Sequence, residues 1–121
     1  MAHQRDTNVE IMTECHDICL KTLSHCLQQG GRHAQADHIT LLFDCVEICQ
    51  TSADFMLRNS DLHARICEVC AEVCERCAED SESLAGDDQI MRDCAEICRR
   101  CAKACRQMAG NVGRPQHMSI T

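Results

Sequence analysis

Aromatic side chains are almost missing from this chain: its 121 residues include two Phe and neither Trp nor Tyr. Basic residues are also in short supply, because 19 Asp and Glu outnumber 12 Lys and Arg and give a net charge of −7. Proteins that bind nucleic acids need a basic surface for the phosphates and commonly stack bases on aromatic rings. Both shortages argue against a nucleic-acid partner.

The sequence has no apolar run near the length of about 20 residues that a membrane-spanning helix needs. Its opening residues, MAHQRDTNVE, contain neither an apolar segment nor a twin-Arg signal for export. We therefore expect no membrane partner and a cytoplasmic location. Thirteen cysteines are dense enough for a disulfide-bonded secreted domain, but an odd number cannot pair fully within one chain. A reducing compartment accounts for them better.

Helix breakers are scarce, since Pro115 is the only proline and the chain has five glycines. The stretches between them predict four helices, over about residues 7–29, 34–58, 60–79 and 87–109, and a frayed tail at 110–121. Because the connections are short, consecutive helices are expected to be antiparallel neighbours. We predict one domain over residues 1–121, of the all-α class: an antiparallel up-down-up-down four-helix bundle.

The predicted boundaries rest on capping residues. Thr7 and Glu10 fit a capping box that opens the first helix, and Gly30-Gly31 ends it. Asn59 or Ser60 is the expected N-cap of the third helix. We expect the fourth helix to open at Asp87 and to end before Gly110.

Cysteine recurs along all four predicted helices at steps of three and four residues, which places the side chains on the face toward the bundle axis. Every cysteine falls on such a stripe, although Leu42 and Ser52 interrupt the second helix. The set is Cys15, Cys19, Cys26, Cys45, Cys49, Cys67, Cys70, Cys74, Cys77, Cys94, Cys98, Cys101 and Cys105. Buried thiols can act as small hydrophobes, but Ala, Leu or Val would pack as well without the reactivity. A Cys-lined axis therefore indicates metal binding.

Aliphatic and aromatic residues lie beside the cysteine stripes. We expect them to pack in the seams between neighbouring helices or between two bundles. They are Ile11, Ile18, Leu41, Ile48, Phe55, Ile66, Val69, Val73, Ile90, Ile97 and Ala104.

The spacing disfavours three other uses of the thiols. Residues four apart on a helix have Cβ atoms about 5–6 Å apart, which is too far for an unstrained disulfide. Zinc prefers closed sites of four ligands, and a linear array shows no division into fours. Cys67, Cys70, Cys74 and Cys77 have spacings like those of an iron–sulfur protein, but one helix spreads them along a line.

Cu(I) fits the pattern better, because it is soft, selects thiolate and thioether ligands, and accepts low coordination numbers. Sulfurs that bridge successive ions lead to a ratio near one Cu(I) per thiolate, so a filled axis is almost neutral. We therefore predict many Cu(I) ions as the bound cofactor. An iron–sulfur or redox-active protein is the alternative, followed by a zinc reservoir. An enzyme is disfavoured, because the axis shows no paired carboxylates and no Glu-x2-His motif.

The pattern resembles the bacterial copper storage proteins, four-helix bundles whose axis is lined with Cys. The motifs that carry the resemblance are Cys15-x3-Cys19, Cys45-x3-Cys49, Cys70-x3-Cys74, Cys94-x3-Cys98 and Cys101-x3-Cys105. The likeness covers about residues 7–109. It implies high-capacity storage of Cu(I), and its cytosolic branch implies a homotetramer. The expected partners are copper ions, further copies of the chain and a copper chaperone.

The two ends of the predicted bundle differ in their ligands. One end, which we name the methionine end, collects Met12, Met56, His63 and Met108. Neutral thioether and imidazole ligands there would accept Cu(I) before it passes to thiolate. The opposite end gathers Cys26, His38, Cys77 and Met91 and is the weaker candidate. The remaining histidines are interpreted as surface residues: His3, His16, His25, His33 and His117.

Overall fold

The computed structural model describes the backbone of residues 2–120 and the side chains of residues 6–110. Its four α-helices are α1 (Ala2–Gln29), α2 (Ala36–Leu57), α3 (His63–Ala85) and α4 (Gln89–Ile120). A short 3-10 turn at Gly31–Ala34 precedes α2. The backbone of residues 2–120 contains no strand. The all-α prediction is confirmed.

The helices surround a common axis. Each one packs against its neighbour in the chain, and α1 packs against α4, which closes the ring. Connections of a few residues join successive helices and make them antiparallel. The predicted up-down-up-down bundle is therefore confirmed. Over the described part of the chain, no helix combines the length and apolarity required to cross a membrane.

The core joins the cysteine stripes to small and branched apolar side chains. Five half-buried residues of the predicted seams pack against it: Ile11, Ile18, Leu41, Ile48 and Val73. Alanines such as Ala71 and Ala78 are fully buried on α3, where their small size lets the helices approach closely. Val69 and Ile90 instead keep 52% and 45% of their surface exposed, so they seal no seam within this bundle.

The outer ends of α1 and α4 lie beyond the predicted boundaries. Helix α1 begins at Ala2, so Thr7 lies inside it and the predicted capping box at the helix start is wrong. The reason is that residues 3–6 contain no breaker. Helix α4 runs on to Ile120, because Gly110 keeps a helical φ rather than the left-handed one that ends a helix. The predicted tail at 110–121 is thus helical as far as Ile120.

The connections place three other helix ends differently from the prediction. Helix α3 starts at His63 and passes the predicted end near Glu79, stopping at Ala85 before Gly86, whose φ is 54°. Helix α4 is capped by Asp88 instead of Asp87. The Asp88 Oδ1 atom accepts hydrogen bonds from the backbone N–H groups of Ile90 and Met91 at 3.0 and 3.3 Å. The end of α1 at Gly30 and Gly31, both with positive φ, matches its predicted stop. Helix α2 ends at Leu57, one residue before its predicted end.

Candidate metal centre

All thirteen cysteines are buried and none forms a disulfide. Neighbouring Sγ atoms lie 3.6–4.0 Å apart, both along a helix and across the axis. Cys19 on α1, for example, is 3.6 Å from Cys45 on α2 and from Cys98 on α4. A disulfide bond needs sulfurs about 2.0 Å apart. The thiols are therefore packed in contact but unbonded, which leaves every sulfur available to a metal ion.

The sulfurs form four groups of four in which all ligand atoms lie within 4.8 Å of one another. The groups are Cys15-Cys45-Cys49-Cys74, Cys15-Cys19-Cys45-Cys98, Cys19-Cys77-Cys94-Cys98 and Cys49-Cys70-Cys74-Cys101. Our expectation that the array shows no division into fours did not foresee these overlapping groups. It considered one helix at a time, whereas each group takes its members from more than one helix.

The four groups are not separate sites. Six cysteines belong to two groups each, and they are Cys15, Cys19, Cys45, Cys49, Cys74 and Cys98. Closed zinc sites use four ligands that belong to one ion. Shared sulfurs instead suit soft ions joined by bridging thiolates. Sulfurs in contact also leave no room for the sulfide ions that an iron–sulfur cluster contains.

Electrostatics couple the thiols to one another. Hydrogen bonds from Cys15 and Cys19 stabilise the Cys45 thiolate and hold the pKa of Cys45 well below its usual range. The pKa of Cys19 is raised, because its proton is held in hydrogen bonds with Cys15 and Cys45. Among residues 6–110 no Asp or Glu is buried, so the axis offers no carboxylate to a hard cation. Soft monovalent ions match this set of ligands.

At the methionine end, His63 has an unused nitrogen. Its Nδ1 lies 2.7 Å from the Ser60 carbonyl oxygen, which can only accept a hydrogen bond. The proton of the neutral imidazole is therefore on Nδ1, and Nε2 carries the lone pair. That Nε2 is buried and has no hydrogen-bond partner. Met12 and Met56 are fully buried and Met108 is half-buried. The first turns of α1 and the last turns of α4 extend beyond this end of the bundle.

At the opposite end, the structure gives His38 a larger role than the sequence indicated. Its side chain is 2% exposed, and Nε2 lies 3.3 Å from Cys26 Sγ. Nδ1 lies 2.5 Å from Asp80 Oδ2. Sequence reasoning missed Asp80, because the predicted third helix ended one residue before it. Continuation of the heptad pattern past Glu79 was the signal that could have found it.

Three histidines interpreted as surface residues make defined contacts. His25 and His33 point Nε2 at the same Asp88 oxygen, at 2.6 and 3.4 Å, and their side chains are 19% and 25% exposed. His16 Nδ1 lies 2.9 Å from the Val46 carbonyl oxygen. The surface interpretation is wrong for these three, which tie helix ends and neighbouring helices together. His3 and His117 lie outside the described side chains.

The model of the copper storage protein family matches residues 1–110. The chain belongs to this family. Storage of Cu(I) by the buried cysteines of the bundle is thus its function, and the family resemblance noted from the cysteine motifs is confirmed. No curated protein sequence matches the chain.

Solved structures agree with the family assignment. The chain is similar to the Nmul_A1745 protein of Nitrosospira multiformis, with 40% identity and a TM-score of 0.86 over 92% of this chain and 99% of that one. It is also similar to the Cu(I)-bound copper storage protein BsCsp3, with 28% identity and a TM-score of 0.81 over 88% and 98%. A cytosolic copper storage protein from Streptomyces lividans, loaded with five coppers, shares the fold at 24% identity and a TM-score of 0.83, over 93% and 100%.

Proposed function

We propose that all thirteen cysteines hold Cu(I) in thiolate-bridged clusters along the axis. The observation that carries the proposal is the overlap of the four sulfur groups through shared members. A chain of shared sulfurs lets each thiolate bridge two ions, which a set of independent four-ligand sites does not. Anaerobic titration, counting bound Cu(I) against thiols, tests this assignment.

Cys26, Cys67 and Cys105 lie outside the four groups and extend the array toward its ends. All three are buried and free. Cys101 and Cys67 are hydrogen-bonding neighbours of Cys105 and raise its pKa, which supports an array of sulfurs that extends beyond the groups. We infer that the array runs from Cys26 at the opposite end to Cys67 and Cys105 below the methionine end.

The charge of the thiolates and the family membership favour Cu(I) over Zn²⁺ as the bound ion, whereas the sulfur spacing alone does not distinguish them. Contacts of 3.6–4.0 Å also suit four thiolates on one tetrahedral ion. With thirteen thiolates, however, Zn²⁺ would leave a large uncompensated negative charge in a buried axis, whereas Cu(I) at about one ion per thiolate leaves almost none. The similar BsCsp3 is Cu(I)-bound.

We further propose that Cu(I) enters through the methionine end. The unpartnered Nε2 of His63 and the thioethers of Met12, Met56 and Met108 provide neutral ligands there. Such ligands bind Cu(I) more weakly than thiolate does, so they can pass an ion inward without trapping it. Replacing all four residues by Leu should slow loading, and slow removal by a competing chelator, with capacity almost unchanged. Stopped-flow measurement of Cu(I) transfer checks this.

The matched control replaces His38 and Met91 by Leu at the opposite end. This variant should exchange copper at the parental rate. A slower rate in the control than in the methionine-end variant would reverse the assignment of the entrance. Parental exchange in both variants would mean that the methionine end is only apolar filler.

We propose a homotetramer as the assembled state. Several large apolar side chains are strongly exposed, among them Phe43 at 49% and Leu57 at 67%. Such residues suit contacts between bundles. Light scattering after gel filtration should give about four times the chain mass of 13.6 kDa. Phe43→Glu should lower that mass and Gln50→Glu, an exposed control, should not. A wild-type monomer would contradict the proposal.

The location and partners complete the proposal. We infer a cytoplasmic store, since the free thiols need a reducing compartment. A copper chaperone as donor or recipient fits a protein that hands on Cu(I) through weak neutral ligands. The absence of a buried carboxylate among residues 6–110 supports a storage role rather than an enzymatic one.

A further inference from the structure

Two histidines and one aspartate meet at the opposite end of the bundle, outside the cysteine axis. They come from three segments, because His25 is in the last turns of α1, His33 is in the 3-10 turn and Asp88 precedes α4. The Nε2 atoms of His25 and His33 lie 2.6 and 3.4 Å from the same atom, Asp88 Oδ2. Two imidazoles and one carboxylate are a ligand set that holds Zn²⁺ in other proteins, and this set contains no sulfur.

The contacts of the cluster leave one ligand atom unused. His33 Nε2 is buried and has no hydrogen-bond partner, although Asp88 Oδ2 is 3.4 Å away. A buried polar atom without a partner costs free energy and calls for an explanation. A cation bonded to both His33 Nε2 and Asp88 Oδ2 removes that cost, since each atom then has a partner.

The N-terminus of α4 fixes the orientation of the Asp88 carboxylate. Its Oδ1 atom accepts hydrogen bonds from the backbone N–H groups of Ile90 and Met91. Oδ2 is therefore held toward the two histidines and keeps a lone pair for a metal ion. The Asp88 side chain is 17% exposed, so a water molecule can take the fourth position of a tetrahedral ion.

The distances fit one tetrahedral ion after a small movement of the histidine side chains. Two ligand atoms on such an ion, with bonds of about 2.0–2.2 Å, lie roughly 3.3–3.6 Å apart. The His33–Asp88 pair already has this separation. His25 Nε2 has to withdraw from Asp88 Oδ2 by about 1 Å. The two imidazoles, whose centroids are 6.3 Å apart, also have to turn toward each other, which their partial exposure permits.

We propose that His25, His33 and Asp88 bind one Zn²⁺ per chain, independently of the copper in the axis. Cu(I) prefers the thiolates, which leaves this sulfur-free set to a divalent ion. The Nε2 proton that His25 donates to Asp88 passes to solvent, and His25 Nδ1 takes up a proton, so the imidazole stays neutral. Because the ligands come from three segments, the ion ties the connection before α2 to the connection before α4.

Addition of Zn²⁺ to the Cu(I)-loaded protein tests the site, because copper then occupies the thiols. In long-range ¹H–¹⁵N correlation spectra, one equivalent of Zn²⁺ should move the Nε2 resonances of His25 and His33 to metal-bound positions. His16, whose Nδ1 contacts the Val46 carbonyl oxygen, is the internal control and should not shift. The midpoint of thermal unfolding should rise with Zn²⁺ concentration. Unchanged His25 and His33 resonances, or shifts confined to other histidines, would overturn the site.

Co²⁺ used in place of Zn²⁺ distinguishes this site from the cysteine axis. An ion held only by nitrogen and oxygen gives weak visible d–d bands, whereas thiolate ligands add intense charge-transfer bands in the near ultraviolet. We expect the d–d bands alone. Charge-transfer bands would mean that the divalent ion enters the axis, and they would contradict the proposal. Failure of the thiols to take up Cu(I) in the first place would instead overturn the storage function.

Asp88→Asn and Asp87→Asn form a matched pair of variants. Asn can still cap α4 but removes the carboxylate ligand, so Asp88→Asn should lose the bound Zn²⁺. Asp87 is exposed, and Asp87→Asn removes the same charge and should bind Zn²⁺ like the parent. His33→Ala, in a turn that buries none of its residues, should also lose the ion. Parental Zn²⁺ affinity in Asp88→Asn and His33→Ala would contradict the proposal, and all three variants should keep the parental helicity and Cu(I) capacity.

Discussion

Anaerobic titration of the reduced protein with Cu(I) is expected to saturate at about 10 to 14 ions per chain, as bridging thiolates give near one ion per sulfur. The expectation follows from thirteen buried, unbonded thiols whose sulfurs lie in continuous contact. Cys98 takes part in two of the four sulfur groups. Cys98→Ala should therefore lose one ion or more, whereas Ser81→Ala, an equally buried control on α3, should lose none.

Saturation near three ions would indicate independent four-thiolate sites of the zinc type and would contradict storage of Cu(I) in bridged clusters. Competition with Zn²⁺ in the same titration separates the metals, because Cu(I) should displace Zn²⁺ completely from a Cu(I) store. The appearance of visible colour after incubation with iron and sulfide, with loss of Cu(I) capacity, would support the iron–sulfur alternative.

The protein without metal should already be folded, with a far-ultraviolet circular dichroism spectrum typical of a helical bundle. The half-buried Ile, Leu and Val residues of the seams remain packed when the axis is empty, and neutral thiols pack as small apolar groups. Metal then fills a preformed tube. Helicity should change little on loading, while the midpoint of thermal unfolding should rise because ions bind only the folded state.

Ile48→Ala and Glu47→Ala form a matched pair for this claim. Ile48 packs against the core from α2, and its truncation should lower the stability of the metal-free protein by about 2 kcal/mol or more. Glu47 is exposed, and its removal should change stability by less than about 0.5 kcal/mol. A random-coil spectrum that becomes helical only with Cu(I) would show that the metal is structural, as in a zinc finger.

The sequence was sufficient for those features that depend on local periodicity. Cysteine steps of three and four residues predicted both the helices and the burial of Cys15, Cys67 and Cys94 on one axis, because the α-helical repeat fixes which side chains share a face. Gly30 and Gly31 predicted the end of α1, and in the structure both adopt the positive φ that ends a helix. Gly110 wrongly predicted the end of α4, because glycine permits the left-handed conformation but does not require it.

Features that depend on the packing of several helices could not be read from the sequence. The group of Cys19, Cys77, Cys94 and Cys98 brings together residues of α1, α3 and α4, and its members meet only when the helices have a defined register. The contact between His38 and Asp80 likewise joins α2 to the last turns of α3. Neither the nitrogen that His63 leaves free nor the one that His38 directs at Cys26 is encoded in residue spacing.

Anomalous diffraction at the copper edge, from crystals of the Cu(I)-loaded protein, directly tests whether the ions lie in thiolate-bridged clusters along the axis. We expect a continuous row of copper peaks along the bundle axis, in which each ion is bonded to Sγ atoms and neighbouring ions share a cysteine. Cys15, Cys19, Cys45 and Cys98 should enclose part of that row, because their ligand atoms lie within 4.8 Å of one another. Copper bound to surface histidines and carboxylates around an empty axis would contradict it.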